Sequence, residues 1–288
     1  QHRETESGVT IAAKAMAREQ VSGLGLMRVE DDLSILEFAE KPSDPKVIEG
    51  LTLSDKLSSE LPGHPDQKYV LANMGIYCFT MRVLREALDS PYTDFGGEVI
   101  PDLLGKVEMR GFVFDQYWED IGTVRSFFEA NLSLTDDVPP FNFFDGGNPV
   151  YSRARFLPAS KINGMVMRRG IIAGGCIITE CEFERVVIGV RSMIAKGTFF
   201  RNVVMMGGDL FENDEDRARN EDLQRPDIGV GENCVIENAI IDKNARIGDN
   251  VRLSPEGKPD MYQSGDIIVR DGVLIVMKNG VVPSGTVV

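Results

Sequence analysis

The chain has 288 residues, 42% of them hydrophobic, enough to build two domains or one large one around a sizeable core. Its 45 acidic and 31 basic side chains leave a net charge of −14. That balance argues against a general nucleic-acid or anionic-membrane surface, while leaving room for local basic pockets that hold a phosphorylated small molecule. The four cysteines, Cys78, Cys176, Cys181 and Cys234, show no C-x-x-C spacing, and His2 and His64 are the only histidines. Buried reduced thiols fit this pattern better than a zinc site. No apolar run reaches the length of a membrane span and no signal-like segment opens the chain, so a reducing cytoplasm is expected.

In chain order, residues 8–13 read as a first strand, and 25–29 and 33–39 as two more, joined by the acidic turn Glu30-Asp31-Asp32. Residues 43–66 are rich in Ser, Pro, Asp and Gly and read as a polar excursion. Tyr69–Phe79 is apolar enough for a buried strand. Arg82–Leu88 and Val99–Leu104 read as short helices, the second with Pro101 in its first turn. Residues 111–118, GFVFDQYW, alternate as a strand would and feed an acid pair, Glu119-Asp120. Thr123 is placed to cap a helix whose apolar side is Val124, Phe127, Phe128 and Leu132. A Pro-, Phe- and Gly-rich connector follows, over about 138–160.

Beyond Ile162 the texture changes. Apolar residues recur six apart: Ile188, Ile194, Phe200 and Met206; Val235, Ile241, Ile247 and Leu253; Val269, Ile275, Val281 and Val287. A six-residue period marks a parallel β-helix, in which each hexapeptide forms one flat face of a coil. A sandwich of hairpins would not hold that phase. The period breaks at 207–227, a charged run that reads as a solvated, mobile loop.

Two short motifs carry chemistry. A carboxylate between a strand end and a helix start, as at Glu119-Asp120, lies where open α/β sheets bind ligands and suits Mg²⁺; it equally suits the dipole of the helix it precedes. Glu40-Lys41-Pro42 follows a strand directly. Pro42 biases Lys41 toward an extended conformation, so the two side chains are expected on opposite sides and not paired with each other. One then serves sugar hydroxyls and the other a phosphate, the plainer alternative being a simple strand-end turn.

The segments EFAEKP (37–42), ANMGIYCF (72–79), DFGGEVIP (94–101), YWEDIGTVRSFFEANL (117–132), YSRARFLP (151–158) and IIDKNARIGDNV (240–251) occur in one order. Together they resemble glucose-1-phosphate adenylyltransferase, also called ADP-glucose pyrophosphorylase, over nearly the whole chain. The resemblance implies an α/β fold, with a partial Rossmann-like nucleotidyltransferase domain over 1–137, a linker over 138–160 and a left-handed parallel β-helix over 161–288. The family joins glucose 1-phosphate and ATP to give ADP-glucose and diphosphate, feeding glycogen or starch synthesis. By that resemblance Glu40 binds glucose hydroxyls, Lys41 pairs with the substrate phosphate, and Asp120 is one of two aspartates holding Mg²⁺. Asn73 stands where the family commonly has serine and still offers a hydrogen bond to the sugar. A regulatory anion site for phosphorylated metabolites maps to Arg155, Lys243 and Lys278, with Arg153 nearby, and family members are tetramers.

The family's Gly-rich nucleotide loop has no counterpart here; Gly23-x-Gly25 precedes a strand and is no substitute. The resemblance therefore implies a chain that supplies the sugar side and half of the metal cradle and is inactive by itself. Three other readings compete. A β-helix acyltransferase would need a histidine beside the coils, and both histidines lie far upstream. The others are a pyrophosphorylase using another nucleotide and a non-catalytic regulatory subunit.

Overall fold

The computed structural model describes residues 1–61 and 68–288. His64 and the end of the expected polar excursion lie outside the described residues. By its contacts the chain forms two compact units, 1–118 and 119–288.

The first unit is a five-stranded mixed sheet in the order β3-β2-β4-β1-β5, made of β1 (Val9–Ala17), β2 (Leu26–Val29), β3 (Ile35–Ala39), β4 (Tyr69–Phe79) and β5 (Met109–Val113). β1 runs antiparallel to β4 and parallel to β5. Val9, Ile11 and Ala13 of β1 are fully buried, as are Met27 and Leu71, because alternate strand residues share one face. The polar excursion contains two short helices, α1 (Pro45–Gly50) and α2 (Asp55–Glu60), each started by a side-chain cap, from Asp44 and Ser54. α3 (Met81–Leu88) buries Val83 and Ala87, and α4 (Ile100–Leu103) follows a five-residue π-helical turn, Phe95–Val99.

Two expected strands are shorter or less buried than their patterns suggest. β5 ends at Val113, so residues 114–118 are not strand, although the Phe114 amide still donates to Ala13 O at 2.8 Å. β4 is buried only from Tyr69 to Ala72. Beyond, Ile11 pairs with Tyr77 and Ala13 with Asn73, so three residues of β4 face one of β1. This bulge turns through Gly75, at φ +71°, and throws the rest of the strand outward. Cys78 is consequently exposed, unlike the other three thiols. Burial pushes the Cys181 thiol up to about 11.

The second unit opens with α5 (Val124–Ser133). Thr123 caps it, exchanging hydrogen bonds with Ser126 in a capping box. Phe128 and Leu132 are buried against Val204, Ile240 and Val273, with Val124 and Phe127 beside them. This is the apolar stripe read from the sequence, and its partner is the β-helix.

The β-helix comprises β6 (Lys161–Ile172), β7 (Ile177–Ile188), β8 (Met193–Ile194), β9 (Phe199–Met205), α6 (Asp214–Asp222), β10 (Gly229–Val230), β11 (Val235–Ile241), β12 (Arg246–Ile247), β13 (Arg252–Leu253), β14 (Gln263–Ser264), β15 (Ile267–Arg270), β16 (Val273–Val276) and β17 (Val281–Val282). Parallel pairing stacks like positions of successive coils. Phe183, Phe200, Ile236 and Leu253 form one inward column. Ile188, Met205, Ile241 and Val276 form a second, and Ile194, Val230, Ile247 and Val282 a third. All twelve are buried, and Phe183 stacks on Phe200 with centroids 5.2 Å apart. β14 and β15 form an antiparallel excursion that pairs back onto the coil strand β16.

The six-residue period holds only in part. Ile188, Ile194 and Phe200 point inward, as do Ile241, Ile247 and Leu253, and Val269 is buried. Met206 and Val235 are half-buried, and Met205 and Ile236 take the inward places. Ile275 and Val281 are half-buried and Val287 is exposed, with Val276 and Val282 inward instead. The reason is geometric. From Phe183 to Phe200, and again from Ile236 to Leu253, a coil returns to its own column after 17 residues, and from Ile162 to Ile178 after 16, so a strict multiple of six drifts by one position or two. One corner is turned by a single left-handed residue, Arg185, Asn202 and Asn238 in successive coils, at φ +55°, +51° and +50°. Asn202 Nδ2 donates to Asn238 Oδ1 at 2.9 Å along that corner.

The run 207–227 is not a simple solvated loop. It contains α6, with a capping box between Asn213 and Asp216 and three acids in its first turn, both of which satisfy the positive helix start. Glu212 and Arg246 form a buried ion pair at 2.6 Å, their side chains 6% and 12% exposed. Glu212 also accepts from Asn220 Nδ2 at 2.9 Å and from the Ile228 amide at 2.7 Å. Burial opposes the charge on Glu212, and these three donors outweigh it, holding the carboxyl below its ordinary value.

Candidate functional site

In the first unit the chain leaves β3 at Ala39 and turns sharply at Lys41, which is left-handed at φ +46°. The expected extended Lys41 is therefore corrected, and with it the expected separation of the two side chains: Lys41 Nζ lies 3.6 Å from Glu40 Oε1. A non-glycine residue held in that region is strained, and such strain gathers at functional sites. The Glu40 carboxylate lies against two glycines. A Cβ at Gly25 would come 2.7 Å from Glu40 Oε2, and one at Gly96 2.8 Å from it. Both positions need glycine for that carboxylate to sit where it does.

The β4 bulge builds the adjoining wall. In a regular strand Asn73 and Tyr77 would be roughly 13 Å apart, at about 3.3 Å per residue. Here Asn73 Nδ2 donates to Tyr77 Oη at 2.8 Å, and Asn73 Oδ1 accepts from the Gly75 amide at 2.9 Å. The Tyr77 ring stacks on Phe95 with centroids 5.9 Å apart. Burial pushes the Tyr77 phenol above its ordinary value; the Asn73 hydrogen bond opposes this, and the nearby charges of Glu40 and Asp94 add to it. Asp94 in turn caps the π-helical turn through the Gly97 amide. Glu40, Lys41, Asn73, Tyr77, Asp94 and the two glycines thus form one polar cluster beside an aromatic wall. Tyr77, Asp94 and Gly96 carry no role in the sequence reading. Their signal lay inside ANMGIYCF and DFGGEVIP, but only the bulge and the turn bring them together.

In the second unit Glu119 and Asp120 lie in the loop between β5 and α5, both exposed. The helix start does not use them. Thr123 caps it, and the Asp271 carboxylate accepts from the Val124 amide at 3.1 Å and, more weakly, from that of Arg125 at 3.5 Å. Asp120 forms no hydrogen bond or ion pair among the described residues, and its carboxylate folds over the adjacent Gly122, where a Cβ would lie 3.1 Å from Asp120 Oδ2. Among the described residues no group of three or more His, Cys, Asp or Glu side chains is gathered for a metal ion. A free, exposed carboxylate fits Mg²⁺, which takes one or two carboxylates and fills its shell with water and phosphate oxygens.

The basic residues divide. Lys243 and Lys278 lie at one corner of the β-helix, where the Asn279 amide donates to Lys243 O at 2.9 Å. Lys243 Nζ pairs with Asp209 Oδ1 at 2.7 Å. The charges of Lys243 and Lys278, behind hydrogen bonds from Lys243 and Asn244, hold the Asp209 carboxyl below its ordinary range. Arg153 and Arg155 are exposed in the connector, where Arg155 Nη1 reaches Arg153 O at 3.5 Å. Among the described residues no hydrogen bond or ion pair joins either arginine to the lysine corner.

No described helix is long and apolar enough to cross a membrane. Residues 1–137 match the Nucleotidyl transferase family. Residues 155–287 match the family described as the GLGC left-handed parallel beta-helix domain. The first match covers the mixed sheet with its polar cluster, the Asp120 loop and α5, and the second covers the stacked coils. The chain carries a nucleotidyl transferase domain followed by a left-handed parallel β-helix domain.

Proposed function

We propose that this chain belongs to a glucose-1-phosphate adenylyltransferase, which joins ATP and glucose 1-phosphate to give ADP-glucose and diphosphate. The observation that carries the reading is the polar cluster at Glu40. A carboxylate set against two glycines, next to an oriented amide and phenol, is an arrangement of acceptors and donors suited to sugar hydroxyls. Lys41 stands beside it as a cation for the sugar phosphate, and a lysine serves a phosphate as a point charge. The ordered motif series and the pairing of the two domain types support the choice of substrate.

In this reading Glu40 accepts hydrogen bonds from the glucose hydroxyls and Asn73, steadied by Tyr77, donates to the sugar. Lys41 aligns the phosphate, whose oxygen forms a new bond to the α-phosphorus of ATP as the bond to diphosphate breaks. Catalysis of this kind depends on positioning and on offsetting charge. Asp120 would hold Mg²⁺, which when bound neutralises charge on the phosphates. Lys243 and Lys278 form a regulatory site for a phosphorylated metabolite, Arg153 and Arg155 being further candidates from the connector, and the protein works as a tetramer in the cytoplasm.

Calorimetric titration of the chain with glucose 1-phosphate tests the central step. Binding is expected, weakened at least tenfold by Lys41→Ala and by Glu40→Gln, with glucose 6-phosphate bound poorly. Equal affinity for the two sugar phosphates, or indifference to both substitutions, would overturn the assignment.

A further inference from the structure

The lysine corner already holds an anion, and that anion is part of the chain. Three successive coils meet there, at Gly207–Asp209, Asp242–Asn244 and Met277–Asn279. The Asn244 amide donates to Gly207 O at 3.0 Å, and Asn244 Nδ2 lies 3.1 Å from both Asp209 Oδ2 and Asn279 Oδ1. The Asp209 amide donates to Asn244 Oδ1 at 2.8 Å. Both oxygens of the Asp209 carboxylate are therefore engaged, Oδ1 by Lys243 Nζ at 2.7 Å and Oδ2 by Asn244. The other carboxylate of the corner, Asp242, accepts from the backbone amide of Lys243. Carboxylate and phosphate oxygens draw on the same kind of charge-assisted donor, and the Asp209 and Lys243 side chains remain 47% and 35% exposed, open to a ligand from solution.

We propose that Asp209 is a built-in competitor at this corner, its carboxylate occupying the place of the phosphorylated effector, so that effector binding displaces it from Lys243 and Asn244. The proposal rests on the regulatory reading of Lys243 and Lys278 given above. The excursion that carries Asp209 is anchored independently. Three residues on, Glu212 is clamped by Arg246, Asn220 and the Ile228 amide. Asp209 can therefore swing away without the excursion detaching, breaking one half-exposed ion pair and the Asn244 hydrogen bonds.

Calorimetric titrations at low ionic strength, with 3-phosphoglycerate and with inorganic phosphate as probes, test this. Asp209→Asn removes the competing charge and keeps an acceptor for Asn244, and Asp209→Ser serves as a second variant should the first fold poorly. Each is expected to tighten probe binding about fivefold, the equivalent of an exposed ion pair's upper contribution, and Lys243→Met to abolish it. If both Asp209 variants bind no more tightly than the parent while Lys243→Met still loses binding, Asp209 is no competitor and the lysine site stands. If neither the parent nor any Asp209 variant binds a probe, the regulatory reading falls and takes this proposal with it.

Discussion

The Asp271 carboxylate accepts the Val124 amide at 3.1 Å, so a turn of the β-helix completes the cap of the helix that begins four residues beyond Asp120. Arg125 returns the contact, its Nε donating to Asp271 O at 3.0 Å. The acid that serves this helix start comes from 147 residues away and not from the neighbouring pair, which leaves Asp120 free for another ligand. Asp271→Ala is expected to lose about 1 kcal/mol, as for other N-terminal caps, and to lower the melting temperature by about 2–4 °C for a unit of this size. Hydrogen exchange should show the loss at amides 124–126. Unchanged protection there would mean that Thr123 alone suffices.

The Asn73–Tyr77 pair holds the β4 bulge and orients the proposed sugar donor. Tyr77→Phe keeps the stack on Phe95 and removes the acceptor of Asn73, so stability should fall by about 1 kcal/mol and affinity for glucose 1-phosphate by several-fold. The pH dependence has a definite sign. Because the folded phenol titrates above its ordinary value of 10, its contribution is complete below pH 10 and is lost as pH rises beyond it, where the unfolded chain ionises first. Ultraviolet difference titration of the parent against Tyr77→Phe should reveal one late-ionising phenol.

The contribution of Glu212, which is paired with Arg246, depends on pH in the opposite sense to that of Tyr77. The Glu212 carboxyl titrates below its ordinary value of 4.5, so its contribution is present above that value and is lost as the medium is acidified through the lower folded value. Arg246→Ala leaves a buried carboxylate with fewer donors and should cost about 3 kcal/mol. Replacing both residues, as in Glu212→Leu with Arg246→Met, should cost much less than the single change. Chemical denaturation of the three proteins decides it; equal losses would show that the pair is not coupled.

At the coil corner, Asn202 and Asn238 are left-handed and linked at 2.9 Å. Asn238→Ala removes the link and places a Cβ-bearing residue without a local hydrogen bond in a strained region, an expected loss of about 1–2 kcal/mol. Asn238→Gly should lose less, since glycine tolerates that conformation. Thermal unfolding that ranks glycine below alanine would refute the conformational explanation.

These positions show what was legible before the structure. The Thr123 cap and the stripe of Val124, Phe127, Phe128 and Leu132 were readable because a helix start and a 3.6-residue period are local properties. α6 was not, because DEDRARNED has no apolar stripe; it is helical on the strength of its cap, its acidic first turn and the clamp around Glu212. The hexapeptide period announced a β-helix but placed Met206, Val235, Ile275, Val281 and Val287 one position off or more, since coils without an insertion return after 16 or 17 residues and not 18. Glu40, Lys41 and Asn73 were named by motif. Their neighbours Tyr77, Asp94 and Gly96 entered only when a bulge and a left-handed lysine drew separate segments into one cluster.

By itself the order of residues determined the coil repeat and the α5 stripe, which follow from short-range periodicity, while the two domain types and the polar side chains of interest were implied by the resemblance of its motif series. Tertiary structure alone decided which charges meet: Lys41 with Glu40, Asp271 with the α5 amides, Asp209 with Lys243. Such meetings depend on strand register and on corners where a single residue reverses the chain, and a one-residue change in either moves a side chain to another face.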